Sequence, residues 1–322
     1  MRRKSMFMVF LLFAGVGALL SGAWVPQPGA EDYPTKPISI IVPFSAGGST
    51  DMAVRTAAPY AGKYLKTSIA IENVPGADGA IGYNKAYSAR PDGYTLLASN
   101  TLPLILTERS RETKYKTMDF KPILAFARDS MILVVHPDFA KNFDEFVKTA
   151  RNQTVKIGTT GGATTTGLMG ILLAEELGLK VNWIPFGGGA ESLTSLAGKH
   201  IDAVLSIAAS SVALSRAGKI RPLVVFSERR NDKYPDVPVP KELGIEISLL
   251  FNHTGLAGPP GLGEDKIKIV EQGFQKALED HEYLEKVKGV ATYDLVPLPS
   301  KEYRQEFERL WTLTEKYKRY LK

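Results

Sequence analysis

The chain has 322 residues, 44% hydrophobic and 23% charged, with 29 glycines, 20 prolines and no cysteine. That balance fits a folded protein of about two domains and excludes collagen, coiled coil and wholesale disorder. Without cysteine there is no disulfide framework, no thiolate nucleophile and no Cys-based zinc or iron–sulfur site. His136, His200, His253 and His281 are too scattered to suggest a metal motif, so neither metal nor cofactor is expected.

The formal net charge is +6. Arg2, Arg3 and Lys4 precede an uncharged apolar run from Met6 to Leu20, and Ser21-Gly22-Ala23 follows it. This is the layout of a secretory signal peptide over residues 1–23, with cleavage expected after Ala23 and Ala30 as a second candidate. The run is short for a membrane span, although an uncleaved N-terminal anchor is the alternative reading. The lack of cysteine excludes a lipoprotein anchor. Removing Arg2, Arg3 and Lys4 from 40 basic residues leaves 37 against 34 acidic ones, a net charge of +3. Much of the basicity is therefore export signal, and no nucleic-acid partner is expected. A basic stretch remains at Lys316, Lys318, Arg319 and Lys322, of a kind that tail helices carry routinely.

Ile38 to Pro43 is a β-branched apolar run and reads as a buried parallel strand. A glycine-rich loop, Phe44 to Ser49, leads into a helix over Thr50–Leu65, with Asp51 suited to its first turn. A strand at Ser68–Glu72, turn formers at 73–79, a helix over Ala80–Arg90 and a strand at Tyr94–Ala98 follow. This order implies a parallel sheet with right-handed crossovers. The pattern then repeats: strand Met131–Val135, helix Phe143–Arg151, strand Val155–Gly158, helix Gly167–Leu177, strand Val181–Pro185 and helix Ala190–Ala197. Strands at Ile201–Leu205, Arg221–Val225 and Asn252–Pro260 come next. Helices over Glu264–Asp280, Tyr283–Lys288 and Ser300–Leu321 complete the chain. The two α/β units meet near 127–129 and 249–251, without long linkers.

Ligands of open α/β sheets bind outside the carboxyl ends of the strands. Two loops have that position. In the first, Gly47 and Gly48 let backbone N–H groups approach a ligand, Ser49 and Thr50 add hydroxyls, and the following helix N-terminus adds partial positive charge. The second, Gly158-Thr159-Thr160-Gly161-Gly162-Ala163-Thr164-Thr165-Thr166, repeats the arrangement. Both suit a carboxylate or phosphate, and facing each other they can hold both ends of a dicarboxylate. A tight structural turn is the competing reading of either loop. Neither loop matches a P-loop or GxGxxG, and GxSxG is absent, so an enzyme is not expected. Asp51 reads as helix or loop support, Asp202 as fixing a turn or strand end, and Lys36, Arg55 and Arg128 as surface charges able to steer anions. His253 can face a cleft or pack.

The motifs Tyr33-Pro34-Thr35-Lys36-Pro37 with Ile38 to Phe44, Gly47-Gly48-Ser49-Thr50-Asp51 and Glu72-Asn73-Val74-Pro75-Gly76-Ala77 recur as a set in one family. So do Pro91-Asp92-Gly93-Tyr94-Thr95-Leu96-Leu97, Pro185-Phe186-Gly187-Gly188-Gly189-Ala190 and Gly198-Lys199-His200-Ile201-Asp202. Ala217-Gly218-Lys219-Ile220-Arg221-Pro222-Leu223, Pro235-Asp236-Val237-Pro238 and Gly255-Leu256-Ala257-Gly258-Pro259-Pro260-Gly261 complete the set. In collinear order over nearly all of the mature chain, it resembles the Bug or TctC-like family, the extracytoplasmic solute receptors of tripartite tricarboxylate transporters. The resemblance implies a type II periplasmic-binding-protein fold: two α/β lobes with a ligand cleft between them. Lobe 1 would take residues 31–129 plus 251–322, and lobe 2 residues 130–250.

The resemblance further implies closure on a small carboxylate, delivery to membrane permease subunits, periplasmic location and a monomer. Gly47, Gly48, Ser49, Thr50 and Asp51 map onto the first family loop, and Gly158, Thr159, Thr160 and Gly161 onto the second. Phe44, Ser99 and Ser206 stand at strand ends where they can line the pocket. The sequence departs from the family at Ala163, where glycine is usual, at Gly167-Leu168 in place of His-Leu, and at His253 in place of a common tryptophan. These departures bear on which ligand is bound. A periplasmic ligand sensor and an exported hydrolase are the readings from other classes.

Overall fold

The computed structural model describes residues 33–159, 164–186, 188–290 and 293–320. The expected signal segment with Ala23 and Ala30, and loop residues Thr160, Gly161, Gly162, Ala163 and Gly187, lie outside them.

The chain begins with strand β1 (Ile38–Val42), helix α1 (Ser49–Leu65), strand β2 (Ile69–Asn73), helix α2 (Ala80–Tyr87), strand β3 (Thr95–Asn100) and helix α3 (Thr101–Ser110). Strands β4 (Lys121–Asp129) and β5 (Met131–Val135) follow, separated only by Ser130. Then come α4 (Phe143–Asn152), β6 (Val155–Thr159), α5 (Thr165–Leu177), β7 (Val181–Pro185), α6 (Gly189–Ala197), β8 (Ala203–Ile207), α7 (Ala208–Arg216) and β9 (Arg221–Phe226). The chain closes with β10 (Asn252–Gly258), α8 (Glu264–Glu279), α9 (His281–Val290), β11 (Asp294–Pro299) and α10 (Ser300–Lys316).

These strands form two sheets, ordered β11-β4-β10-β3-β1-β2 and β7-β6-β8-β5-β9. The expected parallel pairing holds for β1 with β2 and β3, and for β6 with β7 and β8. It does not extend across either sheet. β10 runs antiparallel to β3 and β4, β11 antiparallel to β4, and β5 antiparallel to β8 and β9. The parallel half of each sheet follows from sequence. β1 is flanked on both sides, and its Ile38, Ile40, Ile41 and Val42 are all buried. The edge strand β2 alternates half-buried and exposed residues instead.

Two helices join the cores. Leu104 of α3 and Phe307 of α10 pack with Ile41, Tyr83, Leu97 and Phe120 against the first sheet. Leu102, Ile105 and Leu106 of α3 and Leu310 of α10 enter the core of the second sheet with Phe146, Met169 and Leu205. Arg109 ties these helices together: its guanidinium donates to Thr314 Oγ1 at 2.9 Å and to the Trp311 carbonyl at 2.7 Å, and lies 4.0 Å from the Trp311 ring centroid.

Candidate functional site

Each sheet has one place where consecutive parallel crossovers leave in opposite directions. In the first sheet it lies between β1 and β3, because β2 pairs on the other side of β1. In the second it lies between β6 and β8, with β7 beyond β6. At such a switch point the two loops part and leave a crevice at the strand ends. The residues singled out from sequence stand at these ends: Phe44 to Asp51 follow β1, Ser99 is next to last in β3, Gly158 and Thr159 close β6, and Ser206 is next to last in β8.

The loop after β1 is braced from beneath by Asp51. Its carboxylate accepts from the Gly47 N–H at 2.9 Å, from Arg55 Nε at 3.1 Å and Nη2 at 2.7 Å, and from Asn73 Nδ2 at 2.9 Å. Asn73 Nδ2 also donates to the Phe44 carbonyl at 3.1 Å. Gly47 supplies the left-handed turn, at φ +82°, that brings its N–H down onto the carboxylate. The Arg55 guanidinium, then Gly47 and Asn73, outweigh burial and hold Asp51 at about 2, well below the usual carboxylate range. The ionised Asp51 would repel an anion on its own. Arg55, 48% exposed at its side chain, cancels that charge. Ser45 to Gly48 remain exposed and Ser49 is half-buried; with the Gly47 N–H on Asp51 and the Gly48 N–H on the Ser45 carbonyl, the stretch offers the N–H and hydroxyl of Ser49. The α1 N-terminus lies directly behind, with Gly48 at the cap. Phe44 is half-buried against Tyr83, with ring centroids 6.3 Å apart.

Thr50 and Ser99 serve the interior. Thr50 Oγ1 donates to Asn100 Oδ1 at 3.0 Å, and Asn100 Nδ2 donates to Thr254 Oγ1 at 2.9 Å. Ser99 Oγ pairs with Tyr303 OH at 3.0 Å, and Thr101 Oγ1 donates to the same phenol oxygen at 3.0 Å. This buried network fixes α1, β3, β10 and α10 to one another below the loop.

In the second sheet, Gly158 is required by packing. A Cβ there would meet Ile201 Cδ1 at 2.8 Å and Phe186 Cε2 at 3.0 Å. Thr159 is buried, and its carbonyl accepts from the Phe186 N–H at 2.8 Å. Thr164 caps α5, accepting from the Gly167 N–H at 3.1 Å. Ser206 differs from the others. It is 2% exposed, and its Oγ has no hydrogen-bond partner among the described residues. A Cβ on Gly189, at the start of α6, would lie 3.7 Å from it. A buried hydroxyl with no partner among the described residues, beside a helix N-terminus, leaves hydrogen-bonding capacity unused.

Other sequence expectations resolve into structural roles. Asp202 Oδ2 accepts from the Lys156 N–H at 2.7 Å and fixes the start of β6. Lys36 lies over the Tyr94 ring at 4.2 Å, and Arg128 over the Phe251 ring at 4.2 Å. His253 is buried, 3.4 Å from Glu306 Oε1. Sequence reasoning missed Asn73 and Asn100 and read Arg55 as surface charge. The polar run Ser99-Asn100-Thr101 between two apolar segments was the available signal.

A sequence profile described as "Tripartite tricarboxylate transporter family receptor" matches residues 53–307. A Cupriavidus necator protein, "UPF0065 protein in gbd 5'region", is 32% identical over 298 residues, covering 91% of this chain and 89% of the relative. The crystal structure of a TctC solute-binding protein from Polaromonas superposes with a TM-score of 0.77 at 29% identity, covering 87% of this chain and 97% of that one. An R. palustris protein solved with adipate superposes with a TM-score of 0.77 at 22% identity, covering 90% of this chain and 98% of that one.

Proposed function

We propose, because this chain belongs to the tripartite tricarboxylate transporter (TctC) receptor family, that it is an exported receptor that captures a small organic anion and delivers it to the permease subunits of such a transporter. Lobe 1 comprises residues 31–129 and 251–322 and lobe 2 residues 130–250, and the ligand lies between them. The observation that carries this reading is the pair of switch points, one per sheet, each lined with small polar residues. On lobe 1, the Ser49 N–H and hydroxyl receive one end of the anion beside Phe44, at the exposed turn that Gly47 and Gly48 form. Thr50, Asp51 and Ser99 shape that loop from behind. On lobe 2, Ser206 with Thr159, Thr160 and Gly161 receives the other end. Oriented N–H and O–H donors in a shielded cleft give short, charge-assisted hydrogen bonds, and closure of the lobes excludes water from them. The adipate held by the R. palustris relative is a ligand of this chemistry.

The reading is tested by melting the protein, unfolded and refolded to strip carried-over ligand, against a panel of mono-, di- and tricarboxylates and neutral solutes. A ligand at about 100 times its dissociation constant raises stability by about 2.7 kcal/mol. A shift with one carboxylate is expected. A shift only with neutral or cationic compounds would refute the anion assignment.

Ser206→Ala gives an independent prediction. It removes a buried hydroxyl with no partner among the described residues, so the free protein should lose no more than about 0.5 kcal/mol. Affinity for the same ligand should fall about tenfold or more, because a hydrogen bond to a charged acceptor is lost. Calorimetric titration reads the second effect and denaturant melting the first.

A further inference from the structure

The main chain crosses between the sheets twice, and one side-chain pair stands at both crossings. β4 ends at Asp129 and β5 begins at Met131, while the return leg enters β10 at Asn252. Asp129 and Asn252 oppose each other in register, where antiparallel neighbours bring side chains within bonding reach. Asn252 Nδ2 donates to Asp129 Oδ2 at 3.2 Å. The remaining atoms of the two groups, Asp129 Oδ1 and Asn252 Oδ1, are buried and have no hydrogen-bond partner among the described residues. With Asp129 ionised, both are acceptors without a donor, a costly arrangement in a low-dielectric interior. A single proton on Asp129 Oδ1 resolves both. The carboxyl O–H then donates to Asn252 Oδ1 while the amide N–H donates to Asp129 Oδ2, closing a ring of two hydrogen bonds.

The surroundings favour the neutral form. On β11, the Asp294 carboxylate accepts from Ser130 Oγ at 3.1 Å and from Asn231 Nδ2 at 3.4 Å, placing a negative charge across the junction. Arg128 lies over Phe251 with one guanidinium nitrogen 3.8 Å from Glu228, and its buried Nε has no hydrogen-bond partner among the described residues. His253 faces Glu306 of α10, which also binds Arg309. Lys233 supplies a weaker opposing attraction, and the buried Tyr293 phenol is the other titratable group nearby. Burial above all, and Asp294 in addition, push Asp129 up to about 7 despite the Asn252 bond.

We propose that Asp129 and Asn252 share one proton as a neutral acid–amide pair, and that losing it loosens the junction between the two sheets. The proposal rests on the receptor reading only in treating this junction as the hinge of closure. Its test uses no ligand, so the two readings fail separately.

A group bound to its proton more tightly in the folded than in the unfolded chain makes stability fall as pH rises between its two pKa values. Here the fall starts near the ordinary carboxylate value of 3.8 and levels off above about 7. Asp129→Asn supplies the same donor at every pH. The ligand-free protein should melt lower at pH 8 than at pH 5.5. Hydrogen-exchange protection at residues 129–131 and 252, corrected for intrinsic rates, should drop on the order of tenfold over that interval. Asp129→Asn should lose this fall and melt above wild type at pH 8. An equal fall in the variant, or none in wild type, would overturn the proposal. Infrared spectroscopy of wild type keeps the test open should the variant fail to fold. The carbonyl stretch of an un-ionised buried carboxylic acid should be present at pH 6 and titrate away by pH 8, and its absence at pH 6 would equally overturn the proposal.

Discussion

Asp51→Ala is expected to destabilise the protein by about 3 kcal/mol and to abolish ligand binding. The carboxylate is buried and is the shared acceptor for Gly47, Arg55 and Asn73. Removing it leaves the Gly47 N–H and one Asn73 N–H without their acceptor and Arg55 without its counter-charge, which turns the base of the loop from a closed network into an open one. Asp51→Asn keeps the shape but loses the charge, and should fall between wild type and Asp51→Ala. The pH dependence has a definite sign. Because the folded pKa is depressed to about 2, the contribution is complete above the ordinary carboxylate range and is lost as pH falls from about 4 towards 2. Asp51→Ala should therefore show a shallower loss of stability below pH 4 than wild type. Denaturant melting at pH 7 and pH 3 measures both effects.

Gly255→Ala should be more damaging than its single methyl suggests. A Cβ at Gly255 would sit closer to the Leu124 carbonyl oxygen than any van der Waals contact allows, 2.7 Å from Ala125 Cα and 2.8 Å from Tyr303 Cε1. Two of these neighbours are backbone of β4, so no side-chain rotation relieves the clash. Glycine within a strand marks such close approaches of backbone. The register between β10 and β4 shifts beside this residue, and the substitution presses on that irregularity. Displacing Tyr303 would also disturb its bonds to Ser99 and Thr101 at the end of β3. A loss of about 3 kcal/mol or more is expected, at the upper end for overpacking. Gly178→Ala serves as the contrast, because a Cβ there has open space and only the left-handed backbone opposes it, at φ +63°. Urea denaturation of the two variants separates steric from conformational cost.

The parts of the fold that could be read from sequence were those built on local pattern. β1, β5, β7 and the α1 and α8 helices carry apolar runs or helical faces bounded by turn formers, and they appear where the sequence places them. Four elements were not foreseen. α3 starts without a turn after β3, contains Pro103 and is apolar at Leu102, Leu104, Ile105 and Leu106, so no single face stands out. β4 opens with Lys121-Pro122 and β11 contains Pro297 and Pro299, which mask strand character. β11 tolerates its prolines because it is an edge strand. α7 begins Ala208-Ala209-Ser210-Ser211 without a side-chain cap. Only the pairings of β4 with β10 and β11 depend on those missed strands; β10 against β3, and β5 against β8 and β9, join strands legible in the sequence whose direction no local pattern encodes.

The candidate site divides in the same way. The Gly47-Gly48-Ser49-Thr50-Asp51 loop announces itself by composition, because glycines, hydroxyls and a helix start adjoin in sequence. What holds it does not. Asn73 reaches it across 22 residues, and Asn100 reaches Thr50 across 50. Ser206 was visible only as a strand-end serine, and its distinguishing property, a buried hydroxyl without a partner among the described residues, belongs to the packed structure.

Small-angle X-ray scattering, recorded with and without a saturating organic acid found by melting, reads whether two lobes close on the ligand. Capture by closure gives a smaller radius of gyration with ligand, and no such change for Ser206→Ala at the same ligand concentration when that concentration lies below the variant's dissociation constant. An unchanged radius of gyration in wild-type protein shown by calorimetry to be saturated would contradict it.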